Sequence, residues 1–325
     1  MAELRYHPLT KDYIMIASHR QNRPQMPKNW CPFCPGSGKV PDEFDVLKYD
    51  NDFPALSQDP PIPDDVETEL YKTAPSYGKC EVILYSPKHT ITLPELPLWH
   101  VRKLVDLWTE RFVELSKDEK IKYVFIFENR GDVVGVTMPH PHGQIYGYSF
   151  IPKKIELETE SCREYYEEKG RCLICDMLRE EQKDGRRMVF ENEHFSVFIP
   201  FFCEYPYGIY ILSKAHKQNL AQFTDEEKDS LAHAVKFAAG TLDSLFGFVF
   251  PYMMCMHQNP VNSGDCSKDY HFHIEFFPPM RSKDKIKFNA SSETGVWAHC
   301  NPTAPEEKAI ELRDAYKRFC ESVKE

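Results

Sequence analysis

The chain has 325 residues, room for about two domains that each bury a core. Hydrophobic residues make up 42% and charged residues 28%, which excludes a mainly disordered chain. Lys+Arg 40 against Asp+Glu 50 gives a net charge of −10, so the overall field does not attract phosphate backbones and no nucleic-acid partner is expected. No apolar run approaches the roughly 18 residues of a membrane helix, and the first ten residues are polar with no signal-peptide core. The expectation is a cytoplasmic protein with no membrane partner.

In chain order, the first landmark is Cys31-Pro-Phe-Cys34. The Pro-rich stretch from Phe53 to Asp65 reads as surface. Val82 to His89 is an apolar run ending at a histidine and reads as a strand. Leu98 to Leu115 has helical period, and Tyr123 to Phe127 is β-rich. A strand carrying His140-Pro-His142 closes the first half. Lys153 to Gly170 is strongly charged and reads as a helix-containing linker, dividing the chain into halves 1–160 and 161–325.

The order of events then repeats. Cys172-Leu-Ile-Cys175 is followed by a strand-like run from Ile209 to His216, a helical stretch from Asp225 to Phe246 and a β-rich run from Phe246 to Met254. A polar loop, Gln258 to Asp269, reads as surface, and His271-Phe-His273 sits on the last strand of the motif. Pro305 to Val323 reads as a final helix, with Ile310, Leu312, Ala315 and Phe319 at helical spacing. The expected fold is α+β and duplicated: two antiparallel-sheet units with packed helices.

Eleven cysteines in a large chain without a signal peptide, an odd count, point away from disulfides and toward metal. Two cysteines in a Cys-x-x-Cys pair can place both thiolates on one ion, and two histidines from distant strands complete a tetrahedral shell. The repeat defines two such sets: Cys31, Cys34, His89 and His140, then Cys172, Cys175, His216 and His271. Both are closed shells of four protein ligands, so both are expected to be structural zinc sites, the second with iron as the other candidate.

The chemistry is expected at His140-Pro-His-Gly-Gln144. Side chains alternate across a strand, so His140, His142 and Gln144 share one face. With His140 committed to an ion, His142 is the nucleophile: imidazole is largely unprotonated near neutral pH, and its phosphoramidate can be passed on. The carboxamide of Gln144 donates hydrogen bonds to phosphoryl oxygens without delivering a proton.

These residues belong to a wider set: His19-Arg-Gln-Asn-Arg-Pro24, Cys31-Pro-Phe-Cys34, Asn51-Asp-Phe53, Ser86-Pro-Lys-His-Thr-Ile-Thr-Leu-Pro-Glu-Leu96, Phe127-Glu-Asn-Arg-Gly131 and Pro139-His-Pro-His-Gly-Gln-Ile145. By them the chain resembles, over nearly its whole length, the galactose-1-phosphate uridylyltransferase family, a branch of the histidine-triad superfamily. The resemblance implies a ping-pong exchange. His142 attacks the α-phosphorus of UDP-glucose and expels glucose 1-phosphate, and galactose 1-phosphate then takes the uridylyl group as UDP-galactose. It further implies that Gln144 contacts the transferred phosphoryl group, that Asn51 and Asp52 lie at the uridine and ribose, that Phe53 packs near the base, and that Asn129 reaches the phosphates. Thr137 stands where many relatives have serine. Arg20 and Arg23 match basic residues that reach the site from the other subunit, which implies a homodimer. Hexose 1-phosphate is assigned to Lys287 on the phosphate and Glu293 on the sugar hydroxyls.

Two departures accompany the resemblance. Ser292 and His299 replace an aromatic residue and a glutamine of some relatives, which bears on hexose preference. Some relatives also bind a metal through a glutamate and three histidines, which would correspond to Glu158, His257, His271 and His273; the cysteines favour the thiolate set. Glu275 stands where Gln144 stands in the first half, and a carboxylate there repels a phosphate, so one active site per chain is expected and His273 is read as structural. The closest rival reading is a nucleotide-sugar phosphorylase of the same superfamily, in which inorganic phosphate accepts a nucleotidyl group from the histidine of an ADP-glucose-type donor. A zinc-stabilised module that binds nucleic acid without turnover conflicts with the acidic charge.

Overall fold

The computed structural model describes residues 2–22 and 30–323. The first half contains β1 (Ala2–His7), β2 (Asp12–Ala17), β3 (Leu47–Asp50), β4 (Thr73–Pro75), β5 (Gly78–Leu84), α1 (Leu98–Ser116), β6 (Tyr123–Arg130) and β7 (His142–Tyr148). The second contains α2 (Lys153–Lys169), α3 (Leu173–Asp184), β8 (Met188–Glu191), β9 (Phe195–Phe198), β10 (Ile209–Ser213), α4 (Asp225–Phe246), β11 (Tyr252–His257) and β12 (His273–Phe277). After them come β13 (Met280–Ser282), β14 (Lys285–Ile286), α5 (Ser291–Val296) and α6 (Pro305–Ser322). No helix among the described residues is long and apolar enough to cross a membrane.

The fold is α+β and the duplication is visible in its topology. Among the described residues one nine-stranded sheet runs β3-β5-β7-β6-β11-β12-β10-β9-β8, so β3, β5, β7 and β6 are mirrored by β9, β10, β12 and β11. The two units are not separate sheets: β6 and β11 pair antiparallel, with Phe127 opposite Cys255, and fuse them. Strand alternation gives each half an inner and an outer face. The inner face of both halves packs Ile83, Ile145, Ile211 and Ile274 against Trp108 of α1 and Leu231, Val235 and Leu242 of α4 in one continuous core. Trp108 has no exposed surface, and burying such a side chain stabilises the fold by about 2–3 kcal/mol.

The outer faces differ. In the second half α2 and α3 cover it, packing Cys162, Ile174 and Leu178 over Phe198 and Leu212. In the first half no helix among the described residues does so: Phe33, Val40 and Met138 pack on Val82 and Leu84 at one end, and Leu4 of the small sheet β2-β1-β4, with Ala55 and Leu56, packs on Cys80 and Tyr146 at the other. One outer face is therefore covered by helices and the other by loops and the small sheet, and on the second His142 and Gln144 are partly exposed.

The expected helices are present, and their ends have local causes. α4 starts at Thr224, whose hydroxyl accepts from Glu227 N (3.3 Å) while the Glu227 carboxylate accepts from Thr224 N (2.8 Å). It ends at Gly247, which takes φ +73°, a left-handed conformation open to glycine. The following strand consequently begins at Tyr252 and not at Phe246 as expected. The linker is one continuous helix, α2, so the expected division at residue 160 falls within a helix that packs with the second half. In α6 Leu312, Ala315 and Phe319 are buried as expected, while Ile310 is 54% exposed and Ala309 takes its place on the buried stripe. Two stretches read as surface are partly interior. Ala55 and Leu56 are buried, and Gln258 is fully buried because its Oε1 accepts the Leu220 N–H at 3.1 Å.

Candidate active site

The first ligand set forms because β5 and β7 are neighbours: Leu84 pairs with His142, and the chain leaving β5 carries His89 past His140. Cys31, Cys34, His89 and His140 bring their ligand atoms within 4.8 Å of one another. Cys34 Sγ lies 3.4 Å from His89 Nδ1 and 3.7 Å from His140 Nδ1, and Cys31 Sγ lies 3.7 Å from His140 Nδ1. A tetrahedral zinc with Zn–S of about 2.3 Å and Zn–N of about 2.0–2.1 Å requires S···N edges of about 3.5 Å, so the donors stand at coordination spacing. His140 is fully buried, and burial lowers its pKa to about 4, which keeps the imidazole neutral as a ligand must be. Its Nε2 bonds the Ser86 carbonyl at 2.8 Å and so turns Nδ1 to the thiols.

The second set repeats this. Cys175 Sγ lies 3.4 Å from His216 Nδ1 and 3.3 Å from His271 Nδ1, with Cys172 in the same group. His271 Nε2 bonds Ser213 Oγ at 2.7 Å, and His216 Nε2 bonds the Ser267 carbonyl at 3.2 Å. In both halves the first histidine of the pair lies in the segment before the strand, not on it; the strands begin at His142 and His273.

His142, the first residue of β7, is partly buried, and its Nδ1 is 2.7 Å from the carbonyl oxygen of His140. A carbonyl only accepts, so Nδ1 carries the proton and Nε2 carries the lone pair. Gln144 is two residues on and on the same face. Tyr146 Oη donates to its Oε1 (3.3 Å), so the Gln144 side-chain oxygen has an acceptor role within the protein and its NH2 is the donor end. Antiparallel pairing sets Phe127 opposite Gln144, and the same register continued two residues brings Asn129 across from His142.

Asn51, Asp52 and Phe53 follow β3, which pairs with β5 on the far side of β7. Asn51 Oδ1 accepts from Phe53 N (2.9 Å), a tight turn that fixes all three residues. Tyr49 Oη donates to Asp52 at 3.0 Å, and burial together with that carboxylate pushes the Tyr49 hydroxyl up to about 12. Arg20 lies in a short 3-10 helix, Ser18–Asn22, whose His19 Nε2 contacts the Pro54 carbonyl at 3.1 Å, so this turn docks beside the Asn51–Phe53 segment. Arg23 lies outside the described residues. Thr137 is exposed on the irregular approach to His140.

Lys287 and Glu293 come together, Nζ to Oε1 at 3.4 Å, with Lys287 buried 5.1 Å from the Tyr205 ring. The backbone N–H of Ala290 beside Glu293 lowers its carboxyl to about 2. They are not next to His142. Tyr205 packs on Phe277 at the end of β12, three strands from β7 and roughly 15 Å across the sheet at about 4.8 Å per strand. Ser292 donates to the Ala298 carbonyl (2.8 Å), and His299 Nδ1 lies 3.4 Å from Glu204.

A third convergence differs from the set expected by resemblance. His271 belongs to the thiols, and Glu158, His257 and His273 are joined instead by Glu275. His257 Nδ1 is 2.9 Å from Glu158, and His273 Nε2 is 3.5 Å from Glu275 Oε1. Lys154 Nζ stands 2.6 Å from Glu275 Oε2. Burial opposes ionisation of Glu275, yet His257, His273 and Lys154 hold it well below the usual carboxylate range. The two-residue spacing of His273 and Glu275 is the sequence signal for this group, since alternate residues of a strand share a face. Two imidazoles and two carboxylates are a donor set that can hold a divalent cation.

The fold and site define a class: this is the architecture of the uridylyltransferases. Solved structures described as uridylyltransferase and a uridylyltransferase mutant match with TM-scores of 0.89 at 32% identity, covering 97% of this chain and 99% and 98% of theirs. The family models for the N-terminal and C-terminal domains of galactose-1-phosphate uridyl transferase match residues 1–152 and 158–291, and the chain belongs to that family. The galactose-1-phosphate uridylyltransferase of Thermotoga maritima is 44% identical over 97% of this chain and 98% of its own length. That of Haemophilus influenzae is 32% identical over 89% of this chain and 87% of its own. An ADP-glucose phosphorylase from Arabidopsis thaliana, solved with ADP-glucose bound, shares the fold with a TM-score of 0.74 at 24% identity.

Proposed function

We propose that this chain transfers a uridylyl group from UDP-glucose to galactose 1-phosphate through a covalent intermediate on His142. The observation that carries the reading is the 2.7 Å bond from His142 Nδ1 to the His140 carbonyl, which leaves Nε2 as the attacking atom. Nε2 forms a bond to the α-phosphorus, and the electron pair of the broken P–O bond leaves on glucose 1-phosphate. The imidazole gains positive charge, which the carbonyl at Nδ1–H stabilises. A phosphate oxygen of galactose 1-phosphate then attacks the same phosphorus and returns the electron pair to Nε2. Gln144 donates to the phosphoryl oxygens throughout, and an amide cannot supply the proton that would release the group to water.

In this reading Asn51, Asp52 and Phe53 hold the uridine and ribose, Asn129 reaches the phosphates, and the Thr137 hydroxyl contacts the transferred group. The separation of Lys287 and Glu293 from His142 supports a homodimer in which this pair serves the partner's nucleotide, with Arg20 and Arg23 also crossing between subunits. Cys31, Cys34, His89 and His140 would hold one zinc ion, and Cys172, Cys175, His216 and His271 a second. Closed shells supply stability, and the first also holds the backbone that carries the His140 carbonyl. The division at residue 160 into a catalytic half and a degenerate half, and a cytoplasmic location, belong to the same reading.

The test is intact-protein mass spectrometry after mixing with UDP-glucose alone. The expected result is one added uridylyl group on His142 and stoichiometric release of glucose 1-phosphate. Labelling of a His142→Asn variant, or faster turnover with ADP-glucose and inorganic phosphate than with UDP-glucose and galactose 1-phosphate, would overturn it.

A further inference from the structure

Beneath β7, on the face turned to α1 and α4, lies a polar network that the reaction above does not use. Tyr85 Oη and Tyr252 Oη each donate to Glu128, to Oε2 and Oε1, at 3.2 Å. Arg130, two residues along β6, reaches Tyr252 Oη at 3.5 Å and pairs with Asp243 of α4. Tyr85, Glu128, Arg130 and Tyr252 are all buried. Charged and polar groups in an apolar core stabilise less than apolar packing of the same volume, so a network placed here calls for a role beyond stability.

Its position supplies one. Tyr85 meets the catalytic segment on both sides of His142. The Tyr85 N–H donates to the Pro141 carbonyl at 3.0 Å, and its hydroxyl lies beneath Gly143, where an added Cβ would stand 2.4 Å from Oη. Tyr85 is itself fixed: His100 Nε2 bonds its carbonyl at 2.7 Å, Trp108 packs edge-on against its ring, and Glu128 takes its hydroxyl. Position 143 is glycine because the space is already taken.

We propose that Tyr85, held by Glu128, is a positioning residue for His142: it sets the height and tilt of the 141–143 backbone, and through it the alignment of the His142 ring with the His140 carbonyl. The proposal rests on His142 being the nucleophile. It is tested by single-turnover labelling with UDP-glucose in wild type, Tyr85→Phe, Glu128→Gln, Gly143→Ala and the Gly143→Ala/Tyr85→Phe double variant. Misplacement of a reacting group by an ångström costs up to about 100-fold, so the expectation is roughly 10-fold slower labelling for Tyr85→Phe and about 100-fold for Gly143→Ala, with UDP-glucose affinity within about twofold. Glu128→Gln, which keeps partners for both tyrosines, is expected to be milder than Tyr85→Phe.

The double variant is expected to label faster than Gly143→Ala alone, because removing the hydroxyl takes away the closest clash, at 2.4 Å, and leaves the ring carbon Cζ and the Phe127 carbonyl oxygen, each at 3.1 Å, which small shifts can accommodate. Wild-type rates in folded Tyr85→Phe, or a double variant no faster than Gly143→Ala, overturn the proposal. A substrate-free readout separates it from the reading beneath it. In 15N spectra of histidine-labelled protein, assigned with His142→Asn, the His142 Nδ1–H signal should shift in Tyr85→Phe. An unmoved signal sinks the positioning role, whereas a wild-type protein that never takes a label sinks the nucleophile assignment.

Discussion

His142 is tied to His140 at 2.7 Å, Nδ1 to carbonyl oxygen, and His273 is tied to His271 in the same way at 3.1 Å. The backbone device is duplicated and its outcomes diverge. His142 is partly buried on the outer face of the first half, while His273 is buried, stacks on Tyr210 and directs Nε2 toward Glu275. Sequence similarity between the halves is therefore similarity of a ring-orienting turn, and the neighbour two residues on decides what the ring does.

Replacing His142, the proposed nucleophile, should be more damaging than any other single change. His142→Asn is expected to lower kcat by at least about 10⁴-fold, the scale seen when an attacking group is removed, with melting temperature and metal content preserved. Steady-state kinetics with UDP-glucose and galactose 1-phosphate, paired with metal analysis, checks this.

Gln144→Glu converts the first half into the chemistry of the second. The shape is kept while a donor becomes a negative charge facing a phosphate, so kcat should fall by about 10²–10³-fold and Gln144→Ala should be less impaired. Rate measurement for the two variants at one pH decides the order.

One label per chain is expected at saturating UDP-glucose. His273→Asn should leave that stoichiometry at one, because His273 is buried and its Nε2 faces the Glu275 carboxylate at 3.5 Å. Intact mass of the variant gives the answer directly.

Loss of a thiolate should act through stability. Cys31→Ser and Cys172→Ser are each expected to lose about one equivalent of bound metal and roughly 5–10 °C in melting temperature. The first should also lose activity, since His140 and its carbonyl depend on that shell. Plasma mass spectrometry and calorimetry together separate the two variants.

Glu128 predicts a stability change with pH. Burial raises its pKa from 4.5 to about 7, against the pull of Arg130 and the two tyrosine hydroxyls. Between those values the unfolded chain has lost the proton and the folded chain keeps it. Stability therefore falls as pH rises from about 4.5 through about 7, by up to about 3 kcal/mol at 1.36 kcal/mol per unit. In Glu128→Gln that slope should vanish, which urea denaturation at a series of pH values reads out.

Much of this arrangement is legible from spacing alone. The two Cys-x-x-Cys pairs with their later histidines give both ligand sets, because metal geometry restricts residue type and count, and helical period gives α1 and α4 almost residue for residue. Other features depend on what the chain meets after folding. The fusion of the halves through β6 and β11 leaves no mark in either strand's alternation. Gln258 looks like a loop residue until Leu220 supplies a buried N–H. The fourth member of the Glu158 group follows from which ring His271 spends on the thiols, a choice that only three-dimensional neighbours settle.

The shared ladder between β6 and β11 means that the repeat in the sequence is not a seam along which the protein can be cut. A fragment ending near residue 160 would expose the hydrogen-bonding edge of β6, with Phe125 and Phe127 at the break, and such an unpaired rim recruits other strands and promotes clumping. The two similar units share one continuous sheet, so each half is the flank against which the other is built.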